Sequence, residues 1–172
     1  LRETFKNLNR YNIKLNPKKY TFGVPGRQLL GYLISARGIE ADPEKIQAIL
    51  TMKKPTKLHE VQQLAGRVAA LSRFISKLGE KALPFYKLMK KADKFEWMDE
   101  AEAAFLELKK MLTSPPILVT PKENEPLYLY ISATNRVVST VLVVDRMEEG
   151  HSQSIQTPVY YVSEVLSPSK QR

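Results

Sequence analysis

Candidate catalytic side chains are few in this chain and lie far apart in the sequence. His59 and Glu60 are adjacent, but Gln63 stands where a zinc metalloprotease helix needs its second histidine. His151 lies in a polar stretch with no partner nearby in the sequence. The carboxylates are scattered, whereas two-metal nucleotidyl transfer needs converging carboxylates that hold two ions about 4 Å apart. The residues themselves therefore indicate no catalytic centre.

A pattern suited to binding runs along one predicted helix. Gln62, Gly66 and Ala70 recur every four residues, so they share one helical face. Glycine inside a helix costs about 1 kcal/mol relative to alanine, so Gly66 needs a reason. One reason is close approach to the minor groove of a nucleic-acid duplex. The other, which is the commoner, is tight packing against a neighbouring helix.

The positive charge of the chain is confined to its first half. Residues 1–91 contain 19 Lys and Arg against 6 Asp and Glu, a net charge of +13. Residues 92–172 contain 8 against 12, a net charge of −4. Clustered cations of this size are the usual footprint of a phosphate-binding surface, and a solvated lysine surface is the alternative. We expect residues 1–91 to retain any affinity for a duplex and residues 92–172 to lack it. The cations nearest the glycine-bearing face are Arg67, Arg73, Lys77 and Lys81.

A β-hairpin is predicted directly before these helices, over Leu29 to Ala41. Its first strand carries Leu30, Gly31 and Tyr32. Gly31 would let the backbone approach a ligand closely, and a packing requirement or a β-bulge is the alternative explanation.

The elements that must position these residues follow from periodicity, caps and helix breakers. Helices are predicted over residues 2–12, 44–52, 57–77, 84–89 and from 99 to about 112. Strands are predicted over residues 20–24, 29–35, 117–119, 127–131, 137–144 and 159–162, with a polar loop over 145–156. Asp42, Thr56 and Asp99 are the predicted helix caps, with Pro43 at the first helical position after Asp42.

Composition excludes several classes of protein. The chain has no cysteine, which excludes disulfide frameworks, thiolate metal sites and cysteine nucleophiles. No apolar run approaches the roughly 20 residues of a membrane-spanning helix. We therefore expect an intracellular protein without a membrane partner.

The stretch from Leu8 to Ile49 carries a family resemblance. It reads LNRYNIKLNPKKYTFGVPGRQLLGYLISARGIEADPEKIQAI. In order and spacing it resembles the end of the palm domain of gypsy-type long-terminal-repeat retrotransposon reverse transcriptases. Those enzymes show a Leu-Asn-Pro-Lys-Lys turn, a Phe-Gly pair, a Phe-Leu-Gly hairpin, and then Gly-Ile and Asp-Pro-Lys-Ile elements. The following stretch, LAGRVAALSRFISKLGEKALPFYKLMKK, resembles plant lineages of that family.

The resemblance implies roles for the binding residues. Leu30, Gly31 and Tyr32 fall where the family places its primer grip, the hairpin that positions the primer end. Gln62, Gly66 and Ala70 fall where related enzymes place the thumb-helix track along the minor groove. The implied nucleic-acid-binding set is Leu30, Gly31, Tyr32, Gln62, Gly66, Arg67, Ala70, Arg73 and Lys77.

The second half resembles the family's connection segment and then the first two strands of its ribonuclease H-like domain. The carrying sequences are FEWMDEAEAAFLELKKMLTSPPILVTP and LYLYISATNRVVSTVLVV. In the family a Tyr-Thr-Asp-Ala-Ser motif supplies the first metal-binding aspartate, and Ser132 occupies that position here. A neutral hydroxyl cannot replace a carboxylate that bridges two divalent ions. By the same resemblance, the Asp-Asp turn of the polymerase would precede Leu1, and the later acidic ligands would follow Arg172.

Together these observations predict an α+β chain: a primer-grip-like β-hairpin and a helical thumb, followed by a truncated, degenerate ribonuclease H-like mixed sheet. The predicted parts are a palm end over 1–41, a thumb over 42–91, a connection over 92–116 and the ribonuclease H-like piece over 117–172.

The predicted function is that of a non-catalytic fragment of a retrotransposon polyprotein, which holds the template–primer duplex. Its partners would be an RNA–DNA hybrid or a DNA duplex, and the remaining domains of the polyprotein. We expect no cofactor in this segment, although the resemblance implies Mg²⁺ for the full-length enzyme. The expected location is the cytoplasm or a virus-like particle. The alternative is a host-retained structural or protein-interaction module with a solvated basic face, and Ser132 disfavours a third option, a working ribonuclease H.

Overall fold

The computed structural model describes residues 1–19, 22–24, 26–29, 31–90, 95–147, 150 and 152–171. Within these ranges the chain forms five α-helices: α1 (Arg2–Arg10), α2 (Pro43–Leu50), α3 (Leu58–Ala69), α4 (Leu78–Lys90) and α5 (Asp99–Leu112). The strands are β1 (Gly26–Leu29), β2 (Tyr32–Ser35), β3 (Gly38–Ala41), β4 (Tyr128–Ala133), β5 (Val137–Arg146) and β6 (Ile155–Val165). Two short 3-10 turns span Ser72–Phe74 and Pro168–Lys170.

The strands form two antiparallel sheets, with orders β1-β2-β3 and β4-β5-β6. The predicted α+β class is therefore confirmed. The predicted mixed character of the second sheet is wrong over the described strands, because every pairing there is antiparallel. The physical reason is the short connections between its strands, since parallel neighbours need a crossover of a dozen or more residues.

The first sheet contains one turn more than predicted. Leu29 is paired with Tyr32, so the strand predicted over 29–35 is two antiparallel strands. Gly31 lies at the turn with φ of +81°, a conformation that glycine adopts without steric cost. The second turn was predicted correctly, and it pairs Tyr32 with Ala41. Residues 20, 21 and 25 lie outside the described residues, and 22–24 form no strand, which leaves the strand predicted over 20–24 unsupported.

Helix α2 begins as predicted. The Asp42 carboxylate accepts a hydrogen bond of 2.9 Å from the Glu44 amide, and Pro43 is the first helical residue. Thr56 is not the cap of α3, because that role falls to Lys57. Instead the Thr56 amide and hydroxyl both donate to the Glu60 carboxylate, at 2.6 and 3.1 Å. The amide contact is the main cause that lowers the pKa of Glu60.

The helix predicted over 57–77 ends at Ala69, and a 3-10 turn separates it from α4. Periodicity could not reveal this break, because the buried residues continue at helical spacing across it: Val68, Leu71, Phe74, Ile75 and Leu78. Helix α4 begins at Leu78, six residues before the predicted start at Pro84. Pro84 lies inside the helix and is buried.

Helix α5 covers the predicted residues, but its cap is Met98 rather than Asp99. Asp99 is instead the first helical residue, where a negative charge is favoured by the helix dipole. The Glu102 carboxylate accepts a hydrogen bond of 2.6 Å from the Trp97 indole.

One hydrophobic core joins helices α2 to α5 to the first sheet. Its buried side chains come from both sides of residue 91: Ala41, Ile49, Val61, Leu64, Val68, Leu71, Phe74, Ile75, Leu78, Ala82, Phe85, Leu88, Ala101, Phe105, Leu108, Leu112 and Leu118. Among the described residues, no helix is both long and apolar enough to cross a membrane.

The second sheet is longer than predicted. Strand β5 runs on to Arg146 and β6 begins at Ile155, so the loop predicted over 145–156 shrinks to 147–154, part of which lies outside the described residues. The strand predicted over 117–119 is a single bridge, in which Leu118 pairs with Ile39 of β3. Ser167 precedes the 3-10 turn at Pro168–Lys170.

Helix α4 is tied to the second sheet at its first turn. The Gly79 amide donates a hydrogen bond of 2.8 Å to the Ser163 hydroxyl, which lies 2.7 Å from the hydroxyl of buried Ser139. A Cβ placed on Gly79 would lie 2.7 Å from a methyl group of Val137. The absence of a side chain at Gly79 therefore permits this contact.

Candidate nucleic-acid interface

A surface groove runs between α2 and α3. It is lined by Lys45 and Ala48 of α2, by Gln63, Gly66 and Arg67 of α3, and by Ala70, the residue that caps α3. Ala48, Gly66 and Ala70 contribute little side-chain bulk to this lining, and Lys45 and Arg67 contribute positive charge. We call these six residues the basic groove.

Gly66 lies open in the basic groove. Among the described residues, a Cβ built on Gly66 would meet no heavy atom within 4 Å. The first of the two explanations for Gly66, close approach of an external ligand, is compatible with this geometry. The second, tight packing against a neighbouring helix, is wrong within the described structure.

Arg67 is held in place at the edge of the basic groove. Its guanidinium donates a hydrogen bond of 2.7 Å to the carbonyl of Ala48, near the end of α2. Carbonyls in the last turn of a helix lack intrahelical partners, and arginine satisfies them well. The guanidinium has five N–H donors in all, so the bond to Ala48 leaves most of them available to a phosphate.

The hairpin turn is docked beside the basic groove through Lys45. The Lys45 ammonium donates a hydrogen bond of 3.3 Å to the carbonyl of Gly31 and lies 5.8 Å from the centroid of the Tyr32 ring. A Cβ on Gly31 would collide with this ammonium. Leu30 lies outside the described residues, so the predicted hairpin set is represented by Gly31 and Tyr32.

Arg73 lies between two aromatic rings. Its guanidinium carbon is 5.6 Å from the centroid of the Tyr32 ring and 5.3 Å from that of Tyr160 in β6. Both distances fall within the range of cation–π attraction. Tyr32 also packs against the ring of Phe74, at 5.9 Å between centroids.

The predicted binding residues are thus only partly brought together. Gly66, Arg67 and Ala70 share the basic groove, and Gln62 is exposed on α3 outside its lining. Lys81 lies 3.5 Å from the Glu107 carboxylate. The predicted long helix would have placed Arg73, Lys77 and Lys81 along the end of the helix that carries Gly66. Helix α3 ends at Ala69 instead, so these three cations do not extend its face.

Lys77 faces a different surface. It lines a second groove with Ser132 of β4 and Ser139 of β5, and the rest of its lining is Ser76, Tyr130, Ile131, Thr140, Val141 and Tyr161. Burial raises the pKa of the Tyr161 phenol, which favours its neutral form.

The groove around Ser132 does not fit the divalent metal that the sequence resemblance implies. The donors that line it are hydroxyls and one ammonium, with no carboxylate among them. Divalent magnesium prefers carboxylate oxygens, and an ammonium repels it. Within the described ranges, no three histidine, aspartate or glutamate side chains lie close enough together to hold a metal ion.

Sequence reasoning missed four contributors to the basic groove and to the Arg73 contact: Lys45, Ala48, Gln63 and Tyr160. Lys45 and Ala48 have the three-residue spacing of one face of α2, a signal that was available in the sequence. Tyr160 could not have been found in this way. It lies 87 positions after Arg73 in the chain, and only the fold brings the two together.

Residues 97–172 match the family described as an RNase H-like domain found in reverse transcriptase.

The curated relatives of the chain are retrotransposon polyproteins. The chain is 29% identical to the retrovirus-related Pol polyprotein from transposon opus of Drosophila melanogaster, over 99% of its own length and 18% of that polyprotein. It is 28% identical to the corresponding polyprotein from transposon 412 of the same species, over 97% of the chain and 13% of the polyprotein. It is 27% identical to the transposon Tf2-3 polyprotein of Schizosaccharomyces pombe, over 99% of the chain and 12% of the polyprotein. The chain therefore spans less than a fifth of these relatives.

Solved structures share the fold. The foamy viral protease-reverse transcriptase dRH, solved in complex with double-stranded DNA, matches 98% of this chain with a TM-score of 0.75 and 21% identity, over 29% of its own length. The foamy viral protease-reverse transcriptase in complex with RNA/DNA hybrid matches all of this chain with a TM-score of 0.71 and 19% identity, over 24% of its own length. These comparisons confirm the predicted resemblance to the reverse transcriptase and ribonuclease H-like region of retrotransposon polyproteins.

Proposed function

We propose that this chain binds the template–primer duplex, an RNA–DNA hybrid or a DNA duplex, as part of a retrotransposon polyprotein that carries out RNA-directed DNA synthesis. The observation that carries the proposal is the open face of Gly66 in the basic groove. A glycine inside a helix lowers the stability of the helix by about 1 kcal/mol relative to alanine. Among the described residues, no internal packing partner explains that loss at Gly66, whereas a ligand that approaches the backbone closely does.

The chemistry of the basic groove suits a duplex read by its shape. Small residues at Gly66 and Ala70 let the helix backbone approach a shallow minor groove. Lys45 and Arg67 line the same groove and would bind phosphates, which position a duplex without reading its sequence. The fold likeness to reverse transcriptases solved with double-stranded DNA and with RNA/DNA hybrid supports this assignment.

In finer detail, we propose that residues 1–41 are a palm end and that the hairpin at Gly31 and Tyr32 is its primer grip. Residues 42–91 would be the thumb, 92–116 the connection, and 117–172 the beginning of the ribonuclease H-like domain. The motifs between Leu8 and Ile49 support a gypsy-type element, and the amino-acid sequence of the proposed thumb supports a plant-like lineage. Such an element would act in the cytoplasm or in a virus-like particle. Sequencing the reading frame on both sides tests this, because an upstream Asp-Asp turn is expected.

The chain is proposed to bind without catalysing. Hydrolysis of RNA in a hybrid by this class of fold uses divalent ions held by several carboxylates, and Ser132 supplies none. We expect no magnesium- or manganese-dependent cleavage of a labelled hybrid and no primer extension. Ser132→Asp alone is not expected to restore cleavage, because one carboxylate cannot assemble a pair of ions. Metal-dependent cleavage by the purified chain, absent from a mock preparation, would contradict the proposal.

The binding proposal is tested by salt titration on the full chain. Separate halves are unsuitable, because the hydrophobic core takes side chains from both sides of residue 91. Fluorescence anisotropy with a labelled RNA–DNA hybrid is expected to give an affinity that falls linearly with salt on logarithmic axes. Arg67→Gln should lower the slope by about 1, and the matched control Lys122→Gln, in the acidic half, should leave it unchanged.

Two results would contradict the binding proposal. One is an affinity that does not depend on salt. The other is an equal effect of Arg67→Gln and Lys122→Gln on the slope. Either would favour a protein-interaction module with a solvated basic face.

A further inference from the structure

Arg73 contacts both sheets, which are also joined through α4 and through residues 117–119, where Leu118 pairs with Ile39 and the Val119 amide donates a hydrogen bond of 3.0 Å to the Pro158 carbonyl. Its guanidinium lies between Tyr32 of the first sheet and Tyr160 of the second, at 5.6 and 5.3 Å from the two ring centroids. Over the described strands, the two sheets share no hydrogen-bonded strand pair. The 3-10 turn that carries Arg73 sits between α3, which forms the basic groove, and α4, which packs on the second sheet.

The contact suits arginine better than lysine. A planar guanidinium stacks on two rings at once and keeps its N–H groups in the plane between them, whereas an ammonium is a compact point charge. Tyr32 is itself fixed, since Lys45 lies 5.8 Å from its ring centroid and Phe74 packs against the ring at 5.9 Å. A series of side-chain contacts thus links α2 to β6 through Lys45, Tyr32, Arg73 and Tyr160.

We propose that Arg73 is a positioning residue, which fixes the second sheet relative to the basic groove through its two tyrosines. Its charge serves this contact in place of the phosphate contact predicted from the sequence. The consequence for duplex binding rests on the proposed function: a duplex lying in the basic groove would then meet the second sheet at one defined angle.

The positioning role is measured without nucleic acid. The chain has no cysteine, so two introduced cysteines can be spin-labelled uniquely. His59→Cys places one label on exposed α3, and Leu129→Cys places the other on β4, where Leu129 is 59% exposed. Pulsed electron paramagnetic resonance then gives the distribution of distances between the groove side and the sheet.

A single narrow distribution is expected for the unsubstituted background and for Tyr160→Phe, which keeps the ring. Arg73→Gln and Tyr160→Leu should each broaden it, and the double variant should broaden it no further. Arg73 is exposed, so Arg73→Gln is expected to fold even if Tyr160→Leu does not. Unchanged distributions in Arg73→Gln would overturn the positioning role.

Hybrid binding separates this role from a phosphate contact. If Arg73 is a positioning residue, Tyr160→Leu and Arg73→Gln should each weaken hybrid binding about two- to fivefold. Tyr160→Leu removes no charge, and the salt slope should stay unchanged in both variants. A fall in the slope of about 1 in Arg73→Gln alone would assign Arg73 to a phosphate and contradict the proposal. If the unsubstituted chain binds no hybrid, the proposed function fails, while the label distances still decide the positioning role.

Discussion

Two consecutive helices, α3 and α4, carry glycines in opposite surroundings. Gly66 of α3 faces open space, whereas a Cβ on Gly79 of α4 would lie 2.7 Å from Val137 and 2.8 Å from Ser163. Gly79 is explained by the fold, because α4 could not otherwise reach the second sheet. Gly66 is not explained by any contact among the described residues. Gly66, which packing within the described structure does not require, is therefore the better candidate for a functional glycine.

The largest effect is expected at Gly79. Gly79→Ala should lower the free energy of unfolding by about 1 to 3 kcal/mol, the usual cost of overpacking a tight contact. The neighbouring atoms belong to buried Val137 and to hydrogen-bonded Ser163, so they cannot move away easily. Urea denaturation measures the change. A variant as stable as the unsubstituted chain would show that the helix–sheet contact is loose, and the comparison with Gly66 would fail.

A second prediction concerns the loop that precedes the second sheet. Arg146 of β5 binds the Glu125 carboxylate through two hydrogen bonds of 2.7 Å and the Thr120 carbonyl at 2.9 Å. The Arg146 guanidinium is the main cause that lowers the pKa of Glu125 to about 2. A carboxyl group with a lowered pKa stabilises the fold above its ordinary pKa near 4.5, and this contribution is lost as the pH falls through about 2.

The expected result is a melting temperature for Glu125→Gln that lies below that of the unsubstituted chain above pH 5. The difference should shrink between pH 4.5 and pH 2 and vanish near pH 2. Glu123→Gln, a neighbouring exposed carboxylate, is the matched control and should show a smaller difference. A difference that does not depend on pH would mean that the ion pair does not anchor the loop.

The smallest effect on stability is expected at Gly66. Gly66→Ala should raise the free energy of unfolding by up to about 1 kcal/mol, because alanine is the better helix former and the site is open. Thermal unfolding beside Gly79→Ala measures the opposite signs of the two changes. A loss of stability in Gly66→Ala would restore internal packing as the reason for the glycine.

The sequence predicted the local elements better than the relations between them. The Asp42-Pro43 start of α2 and the turn between β2 and β3 were correct, because caps and turns depend on neighbouring residues. The break after Ala69 was missed, since Leu71, Phe74 and Ile75 keep helical spacing across it and only the packing of α4 on the sheet requires the turn.

In the candidate site, too, the sequence predicted local relations between residues better than tertiary ones. The exposed positions of Gln62, Gly66 and Ala70 followed from four-residue spacing along one helix, although Gln62 lies outside the lining of the basic groove. The separation of Lys77 from this face depends on the break after Ala69, and the contact between Arg73 and Tyr160 depends on the tertiary fold. Neither relation has a local signal in the sequence.

The most direct test of the account is the affinity of Gly66→Leu for an RNA–DNA hybrid at fixed salt, with Gly66→Ala as the matched control. The open site should accommodate leucine without loss of folding, so the melting temperature should stay close to that of the unsubstituted chain. Leucine is expected to fill the space that the duplex occupies and to weaken binding by about tenfold or more, within the range of about 1 to 3 kcal/mol that overpacking costs. Full affinity in a folded Gly66→Leu variant would contradict the claim that the basic groove holds the duplex.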